Sequence, residues 1–364
     1  MYLLETSPLN MRGSIGMVPQ FFLVIGVQLA QIFAFPELLG TVEGWPVLVS
    51  LPGLLAIWQI LLLPSCPESP RYLLMQKKEE EEAREVLKHL RLQSDVEDEL
   101  EELRREDLFE KDEKNMNALR LLCYRPLHWN LVSVVIIETG QQLSGVNVVY
   151  YYADRIYSNA GIEENHVQFV TVGTGAVNVL MTIVAVFVVE ALGRRILLLA
   201  GFGICCAACT MLTIALNLKA IWWMPYISIA CVIIYVVGHA IGASPIPSVM
   251  IMEMFLQSSR PAAFMVGGSV HWLSNFTVGL VFTYLEQGLG PYCFLIFGAV
   301  CLATAVYVFL IVPETKNKTF MEINQIMAKR NGTEDPGEKD ELKDFTAVSV
   351  PYSKKMDGER SSAL

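Results

Sequence analysis

Charge is scarce in this chain and unevenly placed. Only 18% of its 364 residues are Asp, Glu, Lys or Arg, against about a quarter in soluble domains. An ordinary solvated surface is therefore excluded over most of the length. The eight cysteines show no staple pattern. Cys205, Cys206, Cys209, Cys231, Cys293 and Cys301 fall in or beside apolar runs and read as small hydrophobes. Cys206-x-x-Cys209 lies within such a run, which argues against redox chemistry. No His/Cys spacing resembles a metal site, and no phosphate loop or nucleophile–base pair stands out, so no covalent catalysis is expected. A basic leader is also missing: Met1 opens onto Glu5 and Arg12, and no signal peptide is expected. The net charge of -10 is local, because the acids cluster in two hydrophilic segments. No nucleic-acid partner is expected.

Apolar residues are what the chain has in excess. They make up 53% of it, with a positive mean hydropathy of +0.42. They come in blocks of membrane-spanning length, roughly 14–36, 45–65, 128–154, 166–190, 196–217, 222–252, 262–285 and 292–312. The expected class is an all-α polytopic membrane protein with eight transmembrane helices, its first partner the lipid bilayer. Basic residues set the orientation. With both ends of this chain cytosolic, the outer loops hold two of the 27 Lys and Arg, Arg155 and Lys219, and the other 25 fall inside. Between the second and third blocks, Gln76 to Asn117 carries 16 acids and 9 bases. Periodic Val86, Leu87, Leu90, Val96, Leu100 and Leu103 fit short amphipathic helices; a charged linker fits the composition equally.

The third block contains Gln141, Gln142, Ser144 and Asn147, four polar side chains within seven residues. Unpaired in hydrocarbon, such groups cost several kcal/mol. They must face a cavity, a ligand or another helix. On an ideal helix Gln141 and Asn147 point roughly 120° apart, and Gly145 between them permits a break. Neutral donors and acceptors suit a neutral polyhydroxyl ligand better than an ion. Helix–helix glue is the alternative.

An internal repeat organises the ends. Glu5-x6-Arg12 returns as Glu253-x6-Arg260, 248 residues later, and Pro67-Glu68-Ser69 returns as Pro313-Glu314-Thr315, 246 later. Each carboxylate is expected to pair with its arginine at an inner helix end and act as a gate. By the repeat, six spans form a second half, two remain of a first half, and four helices are expected ahead of Met1. The chain alone is accordingly expected not to transport.

Together, Gln141-Gln142-Leu143-Ser144-Gly145-Val146-Asn147, Pro67-Glu68-Ser69-Pro70-Arg71, Gly193-Arg194-Arg195, Glu253 to Arg260-Pro261 and Pro313-Glu314-Thr315-Lys316 resemble the sugar porters of the major facilitator superfamily, specifically the facilitative hexose transporters. The resemblance covers residues 1 to about 330. It implies a major facilitator fold, here lacking its first four helices, and alternating access without a cofactor. Residues 1–66 would be the remnant of the N-terminal bundle and 67–126 an intracellular helical domain. Residues 127–313 would be the C-terminal bundle and 314–364 a cytosolic tail, partly disordered. The plasma membrane is the implied location.

By the same resemblance Gln20, Gln141, Gln142, Asn147, Asn178 and Trp272 would line the sugar site, and Glu190, Arg194 and Arg195 would join the gate. Ser248 stands where glucose carriers are expected to have Trp, and His239 and His271 stand where the fructose class has His. Fructose is the implied substrate; a proton-coupled sugar or polyol symporter and a non-transporting interaction protein are the alternatives. Two positions depart from the pattern. Ala243 replaces the first Pro of a Gly-Pro-x-Pro-x-Pro turn. Glu138 replaces an apolar residue one turn before Gln142.

Overall fold

Long apolar helices account for most of the chain, as its hydrophobic blocks dictate. The computed structural model describes residues 2–7, 12–93, 95–109, 116–151, 156–158, 161, 163–218, 220–255, 259–316, 318 and 320–331, and all regular structure among them is helical. In order, α1 spans Arg12–Phe33 and α2 Trp45–Leu62. The hydrophilic segment holds α3, Glu80–Arg91, and α4, Glu97–Phe109. Then come α5 (His128–Leu143), α6 (Val146–Tyr151), α7 (Glu164–Leu192), α8 (Arg194–Asn217), α9 (Met224–Gly238), α10 (Ile246–Met254), α11 (Arg260–Leu289), α12 (Cys293–Leu310) and α13 (Phe320–Asn331).

Six stretches among the described residues are long and apolar enough to cross a membrane, where the hydrophobic blocks suggest eight. Two local features explain the difference. The block at 128–154 is cut by Gly145 into α5, 16 residues, and α6, six residues, neither long enough alone. The stretch Arg260–Leu310 is continuous in hydropathy, yet a tight turn at Gly290–Tyr292 divides it into α11 and α12. The tail beyond residue 331, and with it most of 314–364, lies outside the described residues.

α8 is the hub of the larger core. It packs against α9 and α12, while α5 packs on α11 and α12, and α1 lies along α7. Small residues let α8 approach its broken neighbour. A Cβ on Gly242 would meet the Leu197 carbonyl oxygen at 2.0 Å, and one on Gly201 the Gly238 carbonyl oxygen at 2.8 Å. In a membrane such contacts replace the hydrophobic drive that lipid removes. By contrast, α2 buries none of its residues and turns Leu54, Leu55, Trp58, Ile60 and Leu61 outward.

Two helix breaks shape the interior at membrane depth. At the first, Gly145 has φ +93, a left-handed conformation, and a Cβ there would meet the Phe297 ring at 2.8 Å. At the second, α9 runs into a π-helical turn at His239–Ala243, closed by the Ser244 amide donating to the His239 carbonyl at 2.9 Å. Pro245 and Pro247 come next; neither has an N–H to give, so the regular ladder stops there without the Pro that Ala243 replaces.

The hydrophilic segment forms a small separate core of Leu73, Leu74, Met75, Ala83, Leu87, Val96, Leu100 and Leu103. Ion pairs lock its helices: Arg91 grips Glu99 through two nitrogens at 2.9 and 2.6 Å, Arg84 reaches Glu97 at 2.9 Å, and Arg104 bonds Glu80. Arg104 holds the Glu80 carboxyl below its ordinary range. Arg91 also donates to the Thr6 carbonyl at 2.8 Å, tying the segment to the first turn of the chain.

Gly242→Val tests the close approach of α8 and the π turn that follows α9. The added side chain must push against backbone, not a flexible tip, so a loss of about 1–3 kcal/mol is expected. In detergent the variant should melt several degrees lower or lose its monodisperse peak; an unchanged melting curve would show that the helices do not touch there.

Candidate functional site

At membrane depth the polar side chains concentrate where the two helix breaks face each other. Ser244, the residue that ends the π turn, joins two helices to it. Its Oγ accepts from Gln20 Nε2 of α1 at 2.7 Å, and its carbonyl accepts from Gln141 Nε2 of α5 at 3.0 Å. Gln141 is 6% exposed, so this bond satisfies a donor that lipid could not.

The neighbouring amides run in a chain. Asn147 Nδ2 donates to Gln142 Oε1 at 2.5 Å across the Gly145 break. Gln142 Nε2 lies 2.9 Å from Nε2 and 3.2 Å from Nδ1 of His271 on α11. Nδ1 also lies 2.9 Å from Glu138 Oε2. Glu138, 6% exposed, is thus paired across to α11.

Other expected site residues surround this chain. His239 is buried in the π turn and stacks on Tyr235 with ring centroids 6.2 Å apart; its Nε2 has no hydrogen-bond partner among the described residues. Tyr235 in turn bonds Ser144 Oγ at 3.0 Å and donates to the Ser144 carbonyl at 3.1 Å, pinning the break. Ser248 lines an open cavity of about 360 Å³ with Gln20, Pro19 and Phe264, and its Oγ donates to the Pro245 carbonyl at 3.1 Å. Asn178 is buried on α7, where its carbonyl accepts from Thr182. Trp272 meets His271 edge-on at 5.5 Å but is 68% exposed, so its indole lies on an open face.

A second polar cluster gathers at the charged helix ends. Arg194 is 4% exposed and lies between two carboxylates, Glu253 at 2.8 Å and Glu190 at 3.1 Å. Glu190 also accepts from the Ser14 amide of α1 at 3.1 Å, linking the first helix to this cluster. The second Glu253 oxygen accepts from Thr315 Oγ1 at 2.5 Å. Arg260, the expected partner of Glu253, sends its Nε to the carbonyls of Met252 and Phe255 at 3.0 and 2.8 Å. Arg195 caps the Phe309 carbonyl and lies over the Phe309 ring. The Arg12 side chain lies outside the described residues.

The repeat has a geometry that its spacing did not reveal. Glu5 Oε2 accepts from Ser69 Oγ at 2.6 Å, the counterpart of Glu253 with Thr315. Glu68 accepts from the Ser69 amide at 3.2 Å, as Glu314 does from the Thr315 amide at 3.0 Å. Glu314 does more: it accepts from the amides of Arg194 and Arg195 at 2.9 and 3.1 Å, satisfying orphan donors at the start of α8. Gly193 leaves room for it, since a Cβ there would lie 2.6 Å from the carboxylate. Ser244, Ser14 and Thr315 escaped sequence reasoning; only the Ser/Thr after each Pro-Glu marked one of them.

Known proteins resemble this chain along most of its length. The family described as "Sugar (and other) transporter" matches residues 1–327. The chain is 58% identical over 351 residues to the human protein named solute carrier family 2, facilitated glucose transporter member 5, covering 96% of this chain and 70% of that one. It is 51% identical to member 7 of the same group from Mus musculus, over 93% of this chain and 67% of that one. Among solved structures, the proton:xylose symporter XylE bound to 6-bromo-6-deoxy-D-glucose superposes with a TM-score of 0.75 at 23% identity, covering 90% of this chain and 69% of that one. The inward-open xylose transporter XylE from E. coli gives 0.63 at 23% identity, over 90% and 68%. These two likenesses establish a shared fold.

Proposed function

Because the chain belongs to the sugar (and other) transporter family, whose members carry solutes and catalyse no covalent step, we propose that its site serves facilitated hexose transport by alternating access, fructose in preference to glucose, the chain alone binding sugar without carrying it. The observation that carries this reading is the cluster of neutral amides at the Gly145 break, Gln141, Gln142 and Asn147, facing the Gln20–Ser244 contact. A sugar hydroxyl both donates and accepts, and such bonds net about 0.5–1.5 kcal/mol each. Millimolar affinity, near about -4 kcal/mol, suits a site that must also release its cargo.

The preference for fructose rests on this chain's own residues. Ser248 leaves open the cavity beside Gln20 where an indole would intrude, and His239 and His271 add imidazoles to the surrounding wall. Arg194, Glu190 and Glu253 form the inner gate in this reading, with Glu5 and Ser69 as its counterpart. The plasma membrane is the proposed location, with both ends of this chain cytosolic. A second reading, proton-coupled symport, is favoured by one observation: Glu138 and His271 are a titratable pair at membrane depth.

Purified protein in liposomes tests the proposal. Fructose binding, tracked by quenching of tryptophan fluorescence, should be saturable, and Gln142→Ala should weaken it about tenfold with expression intact, since it strips a partner from both His271 and Asn147. Unchanged affinity would remove Gln142 from the site; no binding by the unaltered chain would refute the reading. Fructose affinity measured across pH separates uniport, in which binding takes up no proton, from symport, in which it does, and saturable fructose flux by the chain alone would overturn the expectation that it does not transport.

Ser248→Trp should weaken fructose binding by at least about tenfold by filling the cavity. Competition between labelled fructose and glucose for the site reads the shift, and wild-type fructose affinity in the variant would show that Ser248 does not face the sugar.

Glu253→Ala leaves the buried Arg194 with Glu190 alone and Thr315 Oγ1 without its acceptor. The population should move towards the state open on the gate's own side. An introduced cysteine lining that side should label several-fold faster with an impermeant thiol reagent; an unaltered rate would argue that the cluster is structural.

A further inference from the structure

Arg84, Arg91 and Arg104 bond carboxylates in the hydrophilic segment, and Arg194 lies between two of them. Beyond the end of α12 the balance is different. Lys316, Lys318 and Lys329 line an open cavity of about 490 Å³ together with Glu322, Gln325 and Ile326. None of the three lysines pairs with a carboxylate among the described residues. Lys316 gives one N–H to the Ala191 carbonyl at 2.9 Å, at the end of α7, while Lys318 and Lys329 are exposed. Three like charges around one space repel one another, and a bound anion removes that cost.

Both walls of the cavity are anchored. α13 docks on the larger core through the buried Ile323 and Met327, which leaves Glu322, Gln325 and Lys329 on its outer side. On the other wall the Lys316 amide donates to Glu314 at 3.0 Å, the carboxylate that also accepts from the amides of Arg194 and Arg195. Arg195 sends its guanidinium to the Phe309 carbonyl and over the Phe309 ring, again without a carboxylate partner for the side chain among the described residues. A fourth cation therefore stands at the same helix ends.

The surface next to the cavity indicates where the anion comes from. Leu302, Val306 and Phe309 are exposed and recur on α12 at intervals of four and three residues, so they share one face of the helix. Leu310 and, at the start of α8, Ile196 are exposed as well. α12 lies in a stretch apolar enough to cross a membrane, and this face meets acyl chains. Lys316 follows Leu310 by six residues, within reach of a polar headgroup layer about 5–8 Å thick on each side of the bilayer. A free phosphate compound would use the cavity alone, whereas a phospholipid would use the cavity and the apolar face together. A single phosphodiester is balanced by one cation. Three lysines and the Gln325 amide suit a headgroup with several phosphates and hydroxyls.

We propose that the cavity between the end of α12 and α13 binds the headgroup of a polyanionic phospholipid, of the phosphorylated inositol class, whose acyl chain lies along Leu302, Val306 and Phe309. The proposal rests on the cytosolic placement of these helix ends given above, because the anionic leaflet is the cytosolic one. Lys316 touches the end of α7 and, through Glu314, the start of α8, so a bound headgroup joins the helix ends that carry Glu190 and Arg194.

The purified full chain, in detergent, is offered phosphatidylinositol bisphosphate, phosphatidylserine and phosphatidylcholine, and retained lipid is counted by native mass spectrometry. Retention should fall in that order. Detergent exposes both faces, so a failure here is distinct from an error in orientation. Each lysine at an anionic headgroup contributes about fivefold, so Lys318→Ala combined with Lys329→Ala should weaken the inositol lipid by at least about tenfold. Both side chains are exposed and hold no other part of the described structure, so the variant should keep its monodisperse peak. The same pair of changes at Lys77 and Lys88, in the hydrophilic segment, should leave retention as it was; an equal loss there would reduce the site to general charge attraction. Soluble inositol trisphosphate should compete at least about tenfold less well than the lipid, for want of the acyl contact. Equal competition would assign the cavity to a free phosphate compound. Removing residues 332–364, whose acids include Glu334, Asp335 and Glu338, should keep or raise retention, and a loss would place the lipid on the tail instead. Equal retention of the three lipids, or unchanged affinity in the double variant, would overturn the proposal.

Discussion

In hydrocarbon a polar group must find its partner inside the protein, and the cost of failing, several kcal/mol, exceeds the worth of most contacts that hold a fold together. The larger core of this chain is arranged around that constraint. Two helices are interrupted at membrane depth, one at Gly145 and one from His239 to Pro247, and each interruption releases main-chain groups that need partners. The breaks satisfy one another. Ser244 at the end of the π turn receives Gln141 on its carbonyl and Gln20 on its hydroxyl, and Tyr235 just before that turn bonds Ser144 beside Gly145. Irregular backbone is tolerated here because it is buried in protein or lines a cavity, the two settings in which a membrane permits it.

The same rule organises the charged ends on different terms. A buried guanidinium loses hydration worth several kcal/mol, which two carboxylates and their own hydrogen bonds can offset only with good geometry. Arg194 has that geometry, and its neighbour Glu314 satisfies the start of α8 by accepting from two of its amides. The Ser14 amide places α1 on the same cluster through Glu190. Disturbing one member therefore strains several helices together, which is the property that the proposed gate needs.

Much of this was legible in the residues. Hydrophobic blocks located the helices, and Gly145 among amides located the first break, because only glycine adopts that left-handed backbone easily. The repeat marked recurring positions without showing which of them touch. Its spacing pointed to Glu253 with Arg260, whereas Glu253 holds Arg194, 59 residues away, and Thr315. Sequence spacing reports recurrence; it does not report which of several nearby donors a carboxylate reaches. The blocks at 262–285 and 292–312 are joined by continuous hydropathy, yet the backbone turns at Gly290–Tyr292, where the sequence blocks divide. Ser244 gave no signal, being a small polar residue whose importance lies mainly in where a π turn places its carbonyl.

Glu138 shows how a departure from a family's pattern becomes intelligible once its partner is known. On the sequence it is an intramembrane acid in place of an apolar residue, and cost alone does not say what it does. Across the helix interface its Oε2 lies 2.9 Å from Nδ1 of His271, so the buried acid has a partner on another helix. The same ring lies against the Gln142 amide nitrogen, 2.9 Å from Nε2 and 3.2 Å from Nδ1, and Gln142 in turn accepts from Asn147 across the Gly145 break. The acid is therefore tied to the polar groups that the break releases, and the constraint that places the amides is also the one that makes a carboxylate tolerable there.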